Sequence, residues 1–289
     1  MEWIIPADEA GKKLILFLSE RLGDGYSARH LKRIIESNLC KINGKTERFA
    51  STVLAKGDHL VLQLKEAAPV VEHHFEPSRV LYEDPDLLIY NKPPGVNCDP
   101  KGILHLLKPH YPTLQLIHRL DRETSGVLLL GKNSNIVDLM IQEFKTLRVK
   151  KEYIAIVDGV IEKKEGSIDN YLGKKHVYQG QTMWGPVSEE KGLHAHTDWK
   201  RVGVGTNVSL IQCIPLTGRT HQLRVHLAGM GHPILGDFQY CKKFQCLYRP
   251  PRILLHASRI QFTHPLTKKR VEIESPSPED FSEAQRKLL

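Results

Sequence analysis

At 289 residues, with 40% hydrophobic and 26% charged residues and neither a low-complexity tract nor a fixed-period repeat, the chain reads as globular, which excludes a disordered segment and a solenoid. Its length suits one large domain with a satellite, or two ordinary domains. Lys and Arg number 41 against 33 Asp and Glu, a formal charge of +8, and such an excess attracts polyanions; nucleic acid is the partner this suggests, although a merely soluble basic protein has the same balance.

In chain order, Leu14, Phe17, Leu18 and Leu22 recur at helical spacing. A second helix is expected after Ser27 as N-cap, with Leu31, Ile34 and Ile35 on one face. Its other face carries Arg29, Lys32 and Arg33 at i, i+3 and i+4, a cationic stripe able to lie along phosphates or simply to be solvated. Cys40-Lys41-Ile42-Asn43-Gly44-Lys45 predicts a hairpin, because Asn-Gly supplies the positive φ of a type I′ turn. A second strand pair is expected around the turn Lys56-Gly57-Asp58-His59 and the alternating Leu60 to Leu64.

Two helices, an Ile-Asn-Gly-Lys hairpin and a Gly-Asp before the last strand resemble the RNA-binding domain named after ribosomal small-subunit protein four, over residues 11–65. Members commonly begin Arg-Leu-Asp, where this chain has Lys13-Leu14-Ile15. The resemblance implies RNA contact through Arg29, Lys32, Arg33 and Lys45. Residues 66–78, with mixed charge, two prolines and no period, read as a linker.

From residue 79 to 289 short apolar strands dominate. Leu87 to Tyr90 is a strand stopped by Pro93-Pro94-Gly95. Leu114, Leu116 and Leu120 alternate, Val127 to Leu130 is a continuous apolar run, and Tyr153–Val157 and Val208–Ile211 follow the strand pattern. Helices are expected over Ile136–Leu147, over Thr220–Leu227 and, briefly, before the C-terminal Lys287-Leu288-Leu289. The fold class is α+β, with a small αβ domain followed by a large domain built on a mixed, mostly antiparallel sheet.

Asp121 falls in a charged turn between the strand expected to end at Leu120 and the run from Val127. Spacing alone leaves it readable as a turn aspartate bonding its own backbone. The segment His118-Arg119-Leu120-Asp121-Arg122-Glu123-Thr124-Ser125-Gly126, however, is similar to the signature of the RluA-type pseudouridine synthases. Further landmarks of that family follow in order: Asn91-Lys92-Pro93-Pro94-Gly95, Lys151-Glu152-Tyr153, Thr217-Gly218-Arg219-Thr220-His221-Gln222-Leu223-Arg224-Val225-His226, Gly231 to Asp237, and Leu255-His256-Ala257.

The resemblance implies the pseudouridine synthase fold, with Asp121 as catalytic nucleophile, Arg224 keeping it ionised, Tyr153 stacked on the target base as a candidate to take the proton from its C5, and Leu255 as the apolar wall on the other side. Arg119, Arg122, Arg219 and Lys92 are expected to hold the RNA around an extruded nucleotide. Converting uridine to pseudouridine exchanges a C–N glycosidic bond for a C–C bond without net redox change, so no cofactor or metal is expected.

Large-subunit (23S) ribosomal RNA is the first expected substrate and transfer RNA the second. A glycoside or nucleoside hydrolase is a rival, but Asp121 and Glu123, two apart in a turn, suit a flanking carboxylate pair poorly. The non-enzymatic rival is a ribosome-associated RNA-binding protein with an inactive second domain. Five scattered cysteines without a Cys-x-x-Cys pair argue for reduced thiols, and fifteen histidines show no metal-ligand spacing. The opening Met1 to Pro6 lacks a charged region leading into a long apolar core, so a cytoplasmic protein is expected, and the resemblance implies a monomer.

Overall fold

The computed structural model describes residues 1–23, 26, 28–36, 39–63, 73–178 and 181–289. Ser27, Leu64 and residues 66–72 of the expected linker lie outside them. The chain divides into two compact units: Met1–Glu72 with His176–Thr182, and His73–Lys175 with Met183–Leu289.

The small unit contains β1 (Glu2–Ile4), α1 (Leu14–Leu22), α2 (Ala28–Glu36), β2 (Cys40–Ile42), β3 (Lys45–Glu47) and β4 (His59–Leu62). Phe17, Leu18, Leu31, Ile35, Leu60 and Leu62 are fully buried and join the helices to the sheet. The Asn-Gly turn forms as its chemistry requires, with Asn43 at φ 51 and Gly44 at φ 75. One expectation changes: β4 does not pair with a strand just before it. It lies between β1 and β2 in an antiparallel sheet of order β1-β4-β2-β3. Three residues at the start of the chain are too few to show a period.

The large unit adds β5 (Val80–Glu83), β6 (Leu87–Lys92), α3 (Ile103–Leu107), β7 (Gln115–Leu116), β8 (Ser125–Gly131), α4 (Ser134–Lys145), β9 (Lys150–Asp158), β10 (Glu165–Tyr178), β11 (Gln181–Val187), β12 (Leu193–Gly205), β13 (Val208–Pro215), α5 (Gln222–Gly229), β14 (Leu255–Thr263), β15 (Arg270–Glu274) and α6 (Glu279–Leu288). Its 11 strands follow the path β11-β10-β12-β13-β9-β14-β8-β6-β5, with β15 on β14 and β7 on β8. Between β14 and β8 the pairing is parallel, which makes the sheet mixed.

The apolar run in β8 is explained by burial on both faces. Leu129 and Val127 pack with Leu87, Ile136 and Met140, while Leu128 and Leu130 pack with Leu88, Ile103 and Leu107. The period of two is present, but both phases are apolar.

Two element ends differ from expectation. The strand before Asp121 stops at Leu116, not Leu120. After the β7–β8 pairs Gln115↔Gly131 and Leu116↔Leu130, the Leu129 N–H donates to Nε2 of His118, so a side chain replaces the ladder. The helix expected to reach Leu147 ends at Lys145; Leu147 has φ 58 and is 52% exposed, so its match to the helical period is accidental. Among the described residues no helix is long and apolar enough to cross a membrane.

Candidate active site

Asp121 opens a tight turn whose Thr124 N–H donates back to the Asp121 carbonyl at 3.1 Å, immediately before β8 begins at Ser125. The turn is anchored from three sides. Gly95 N–H donates to the Arg122 carbonyl at 2.8 Å, and Arg122 Nε returns a bond to the Gly95 carbonyl at 3.2 Å. Lys92 Nζ donates to the carbonyls of Pro93, Val96 and Arg122 at 2.9, 2.9 and 3.1 Å. Behind the turn, Gly126 at φ 110 lets β8 approach β14 so closely that a Cβ there would stand 2.1 Å from the Ala257 carbonyl oxygen.

The Asp121 side chain is 29% exposed. Its Oδ2 lies 3.4 Å from Arg224 Nη1 and 4.0 Å from His221 Nε2. Arg224, on α5, is 5% exposed and paired elsewhere as well. Nε and Nη2 grip Asp237 at 2.7 and 2.9 Å, and Nη2 also donates to Gln239 Oε1 at 2.7 Å. The guanidinium lies over the Tyr240 ring, 5.1 Å from its centroid. Burial works against its charge, but Asp237 and then Asp121 outweigh that and raise its already high pKa further. A fixed, permanently charged arginine therefore addresses one carboxylate oxygen of Asp121.

His221 caps α5 in a left-handed conformation, φ 56, so the helix expected from Thr220 begins only at Gln222 and His221 precedes its turns. Its Nδ1 lies 2.7 Å from the Tyr240 hydroxyl. Burial and the Arg224 charge push the imidazole pKa down, keeping the ring neutral.

Tyr153 lies on β9 and packs against the apolar clusters on either side. Burial first, and then the Asp121 charge, push its phenol far up, so it stays protonated. Leu255 opens β14 and is 3% exposed, an apolar wall within the core.

The expected rim residues divide. Arg119 is exposed, and Arg122, also exposed, pairs with Glu123 at 3.3 Å besides its Gly95 bond. Arg219 Nε donates to the His194 carbonyl at 2.7 Å, and no contact joins it to Asp121 among the described residues. Lys92 is corrected. It is fully buried, its three bonds all go to backbone carbonyls, and burial pushes its pKa down to about 8; it braces the turn instead of meeting RNA at a rim. In the small unit, Lys45 is exposed and Lys32 is exposed with its ammonium 3.8 Å from Glu36. The side chains of Arg29 and Arg33 lie outside the described set.

Sequence reasoning passed over four contributors. Asp237 lay inside a quoted landmark, and a buried arginine demands a carboxylate partner, so it was findable. His221 was quoted without a role. Tyr240 and Arg252 carried no signal, because what they touch is remote in sequence.

Away from the turn, Asp84, Asp86 and His264 lie close enough together to be read as metal ligands. Each already has protein contacts: Asp86 accepts from Asn133 Nδ2 at 3.0 Å, and hydrogen bonds hold Asp84 and Nδ1 of His264. His264 Nδ1 accepts the N–H groups of Leu266 and Thr267, so Nε2 carries the proton and faces Asp84 at 3.2 Å. Asp84 already accepts the Tyr82 hydroxyl and the N–H groups of Asp86 and Leu87.

Residues 86–229 match the RNA pseudouridylate synthase family. The chain is 31% identical to ribosomal large subunit pseudouridine synthase C of Escherichia coli strain K12, covering 98% of this chain and 95% of that protein. It is 28% identical to ribosomal large subunit pseudouridine synthase D of Pasteurella multocida, over 96% and 92%. The structure resembles human RNA pseudouridylate synthase domain containing 4 with a TM-score of 0.63 at 25% identity, over 73% of this chain and 94% of that one. With a relative this similar along nearly its whole length, and with the mixed sheet carrying its turn, the chain belongs to the RNA pseudouridylate synthase family, whose members are isomerases.

Proposed function

We propose that this enzyme isomerises specific uridines of large-subunit ribosomal RNA to pseudouridine, with Asp121 as the nucleophile. The observation that carries the assignment is the 3.4 Å approach of Arg224, itself locked by Asp237, to a carboxylate left partly open to solvent. An ionised carboxylate with one face free suits attack on the nucleoside and later departure. The C1′–N1 bond breaks and a C1′–C5 bond forms; the proton lost from C5 is matched by one gained at N1. Tyr153, kept neutral, packs against the base, and Leu255 closes the other side. Arg119, Arg122 and Arg219 contact the RNA backbone around the extruded nucleotide.

The substrate class is supported by relatives of matching length whose names specify the large ribosomal subunit. The small unit, two helices on an antiparallel sheet with Lys32 and Lys45 exposed, is proposed to be an RNA-binding module of the small-subunit-protein-four type over residues 11–65, with Arg29 and Arg33, spaced in the sequence at i and i+4 around Lys32 at i+3, as further RNA contacts. Residues 66–78 link it to the catalytic domain at 79–289.

The test is incubation of unmodified large-subunit ribosomal RNA with wild type and with Asp121→Asn, followed by mass spectrometry for pseudouridine. Product from wild type alone is expected. Turnover by the Asn variant would overturn the nucleophile assignment, and modification of transfer RNA with none of ribosomal RNA would overturn the substrate.

A further inference from the structure

The two oxygens of the Asp121 carboxylate are not equivalent. Both polar neighbours, Arg224 Nη1 at 3.4 Å and His221 Nε2 at 4.0 Å, lie nearest Oδ2, and Oδ1 has no partner among the described residues. What His221 presents to Oδ2 depends on its tautomer, and Tyr240 decides that. The Tyr240 oxygen accepts the Trp184 N–H at 3.3 Å, and its own proton finds one acceptor among the described residues, His221 Nδ1 at 2.7 Å. With Nδ1 accepting, the ring proton sits on Nε2, the nitrogen 4.0 Å from Asp121 Oδ2.

The geometry points to His221 as a positioning residue: held by Tyr240 as the Nε2–H tautomer, it works with Arg224 to turn Oδ2 inward and leave Oδ1 as the attacking oxygen. This rests on Asp121 being the nucleophile. At 4.0 Å the N–H is a dipole aimed at the carboxylate and not a hydrogen bond, so its effect is orientation of a charge already present. Burial first, and then the Arg224 charge, hold the ring neutral against the opposite pull of Asp121 and Asp237, and the Tyr240 hydroxyl also faces it. The left-handed backbone of His221 fits this role. A non-glycine residue rarely adopts φ 56, and here that conformation accompanies the 4.0 Å approach of the ring to Asp121.

The direct test is ¹⁵N NMR of the imidazoles in wild-type full-length enzyme. His221, assigned by its loss in His221→Asn, is expected to show the Nε2–H pattern, and Tyr240→Phe is expected to let the tautomers mix. Asn tolerates the left-handed conformation and does not extend to the position of Nε2, so His221→Asn removes the group facing Asp121 while keeping the backbone. Its kcat on large-subunit ribosomal RNA should fall by about tenfold with KM within about twofold of wild type. An Nδ1–H wild-type ring, or wild-type kcat in His221→Asn, would overturn the inference. Asp121→Asn is assayed alongside. If it is inactive while His221→Asn is fully active, this inference alone falls; if it is active, the nucleophile assignment falls with it.

Discussion

Arg252 joins the C-terminal helix to the reactive turn by gripping Asp280 of α6, with Nε and Nη2 at 2.5 and 3.0 Å from its two oxygens. The Nη1 of the same guanidinium donates to the carbonyls of Glu123, Ile253 and Leu255 at 3.1, 2.9 and 3.3 Å. Glu123 is two residues from Asp121, and Leu255 is the proposed apolar wall. Asp280→Ala leaves a buried arginine without its counterion, which costs about 3 kcal/mol or more. The variant should melt earlier and lose kcat beyond what its folded fraction explains. Full kcat per folded molecule would show that the α6 contact serves stability alone.

Arg224→Lys keeps a positive charge but not the fork. A lysine ammonium is a point charge and cannot bind both Asp237 oxygens while addressing Asp121 and Gln239. kcat should fall by about 10² or more, with RNA affinity nearly unchanged, because the loss is in orientation near the reacting group. Single-turnover kinetics with saturating enzyme separate the two quantities; weakened binding at unchanged chemistry would contradict this account.

Much of this was legible in the sequence, and the parts that were not share a cause. The helices of the small unit, the β6 and β8 strands and the turn at Asp121 announce themselves through local period, Asn-Gly chemistry and an ordered motif. Lys92 was misplaced because a motif lysine beside a reactive turn looks the same whether its ammonium faces RNA or three carbonyls; only the fold shows that it is fully buried. Tyr240 and Arg252 were invisible for a related reason. Their contacts to His221 and Asp280 span 19 and 28 residues, and no periodicity encodes such pairings.

Lys92→Met tests the corrected role. The substitution roughly conserves volume and strands two buried carbonyls, those of Pro93 and Val96, while the Arg122 carbonyl loses one of its two donors and keeps the Gly95 N–H. A loss of about 2 to 4 kcal/mol is expected, together with reduced kcat from a turn that has lost its brace. If Lys92 instead met RNA, stability would hold and KM would rise, so denaturant unfolding and steady-state kinetics together decide it.

Gly126→Ala is expected to be more damaging than its size suggests. The new methyl would lie 2.1 Å from the Ala257 carbonyl oxygen and force a side chain onto a backbone at φ 110. Either β8 and β14 separate, opening the parallel pairs His256↔Ser125 and Ala257↔Gly126, or the variant misfolds. A loss of at least about 3 kcal/mol follows from overpacking and strain together. A variant with wild-type melting temperature would refute the close approach.

Acid should weaken the fold before the carboxylates titrate. His256 is fully buried between β8 and the chain at Ser275; its Nδ1 meets the Ser125 hydroxyl at 3.0 Å and its Nε2 the Ser275 carbonyl at 3.2 Å. The carbonyl only accepts, so in the neutral ring Nε2 carries the proton and Nδ1 accepts from the Ser125 hydroxyl; a second proton would place a charge in the buried interior. Burial pushes its pKa down to about 4, and burial likewise takes His226 to about 4. Because the folded values lie below the ordinary 6.5, the unfolded chain binds protons that the folded chain refuses. Stability is therefore full above about pH 6.5 and declines as pH falls toward about 4, by on the order of 3 kcal/mol for His256 alone. Urea unfolding between about pH 7.5 and 5 should show this decline. His256→Gln should start less stable at the upper end and fall less steeply, by close to one proton's worth of slope near pH 5.5. An unchanged slope in the variant would mean that His256 is not among the groups that resist protonation in the folded state.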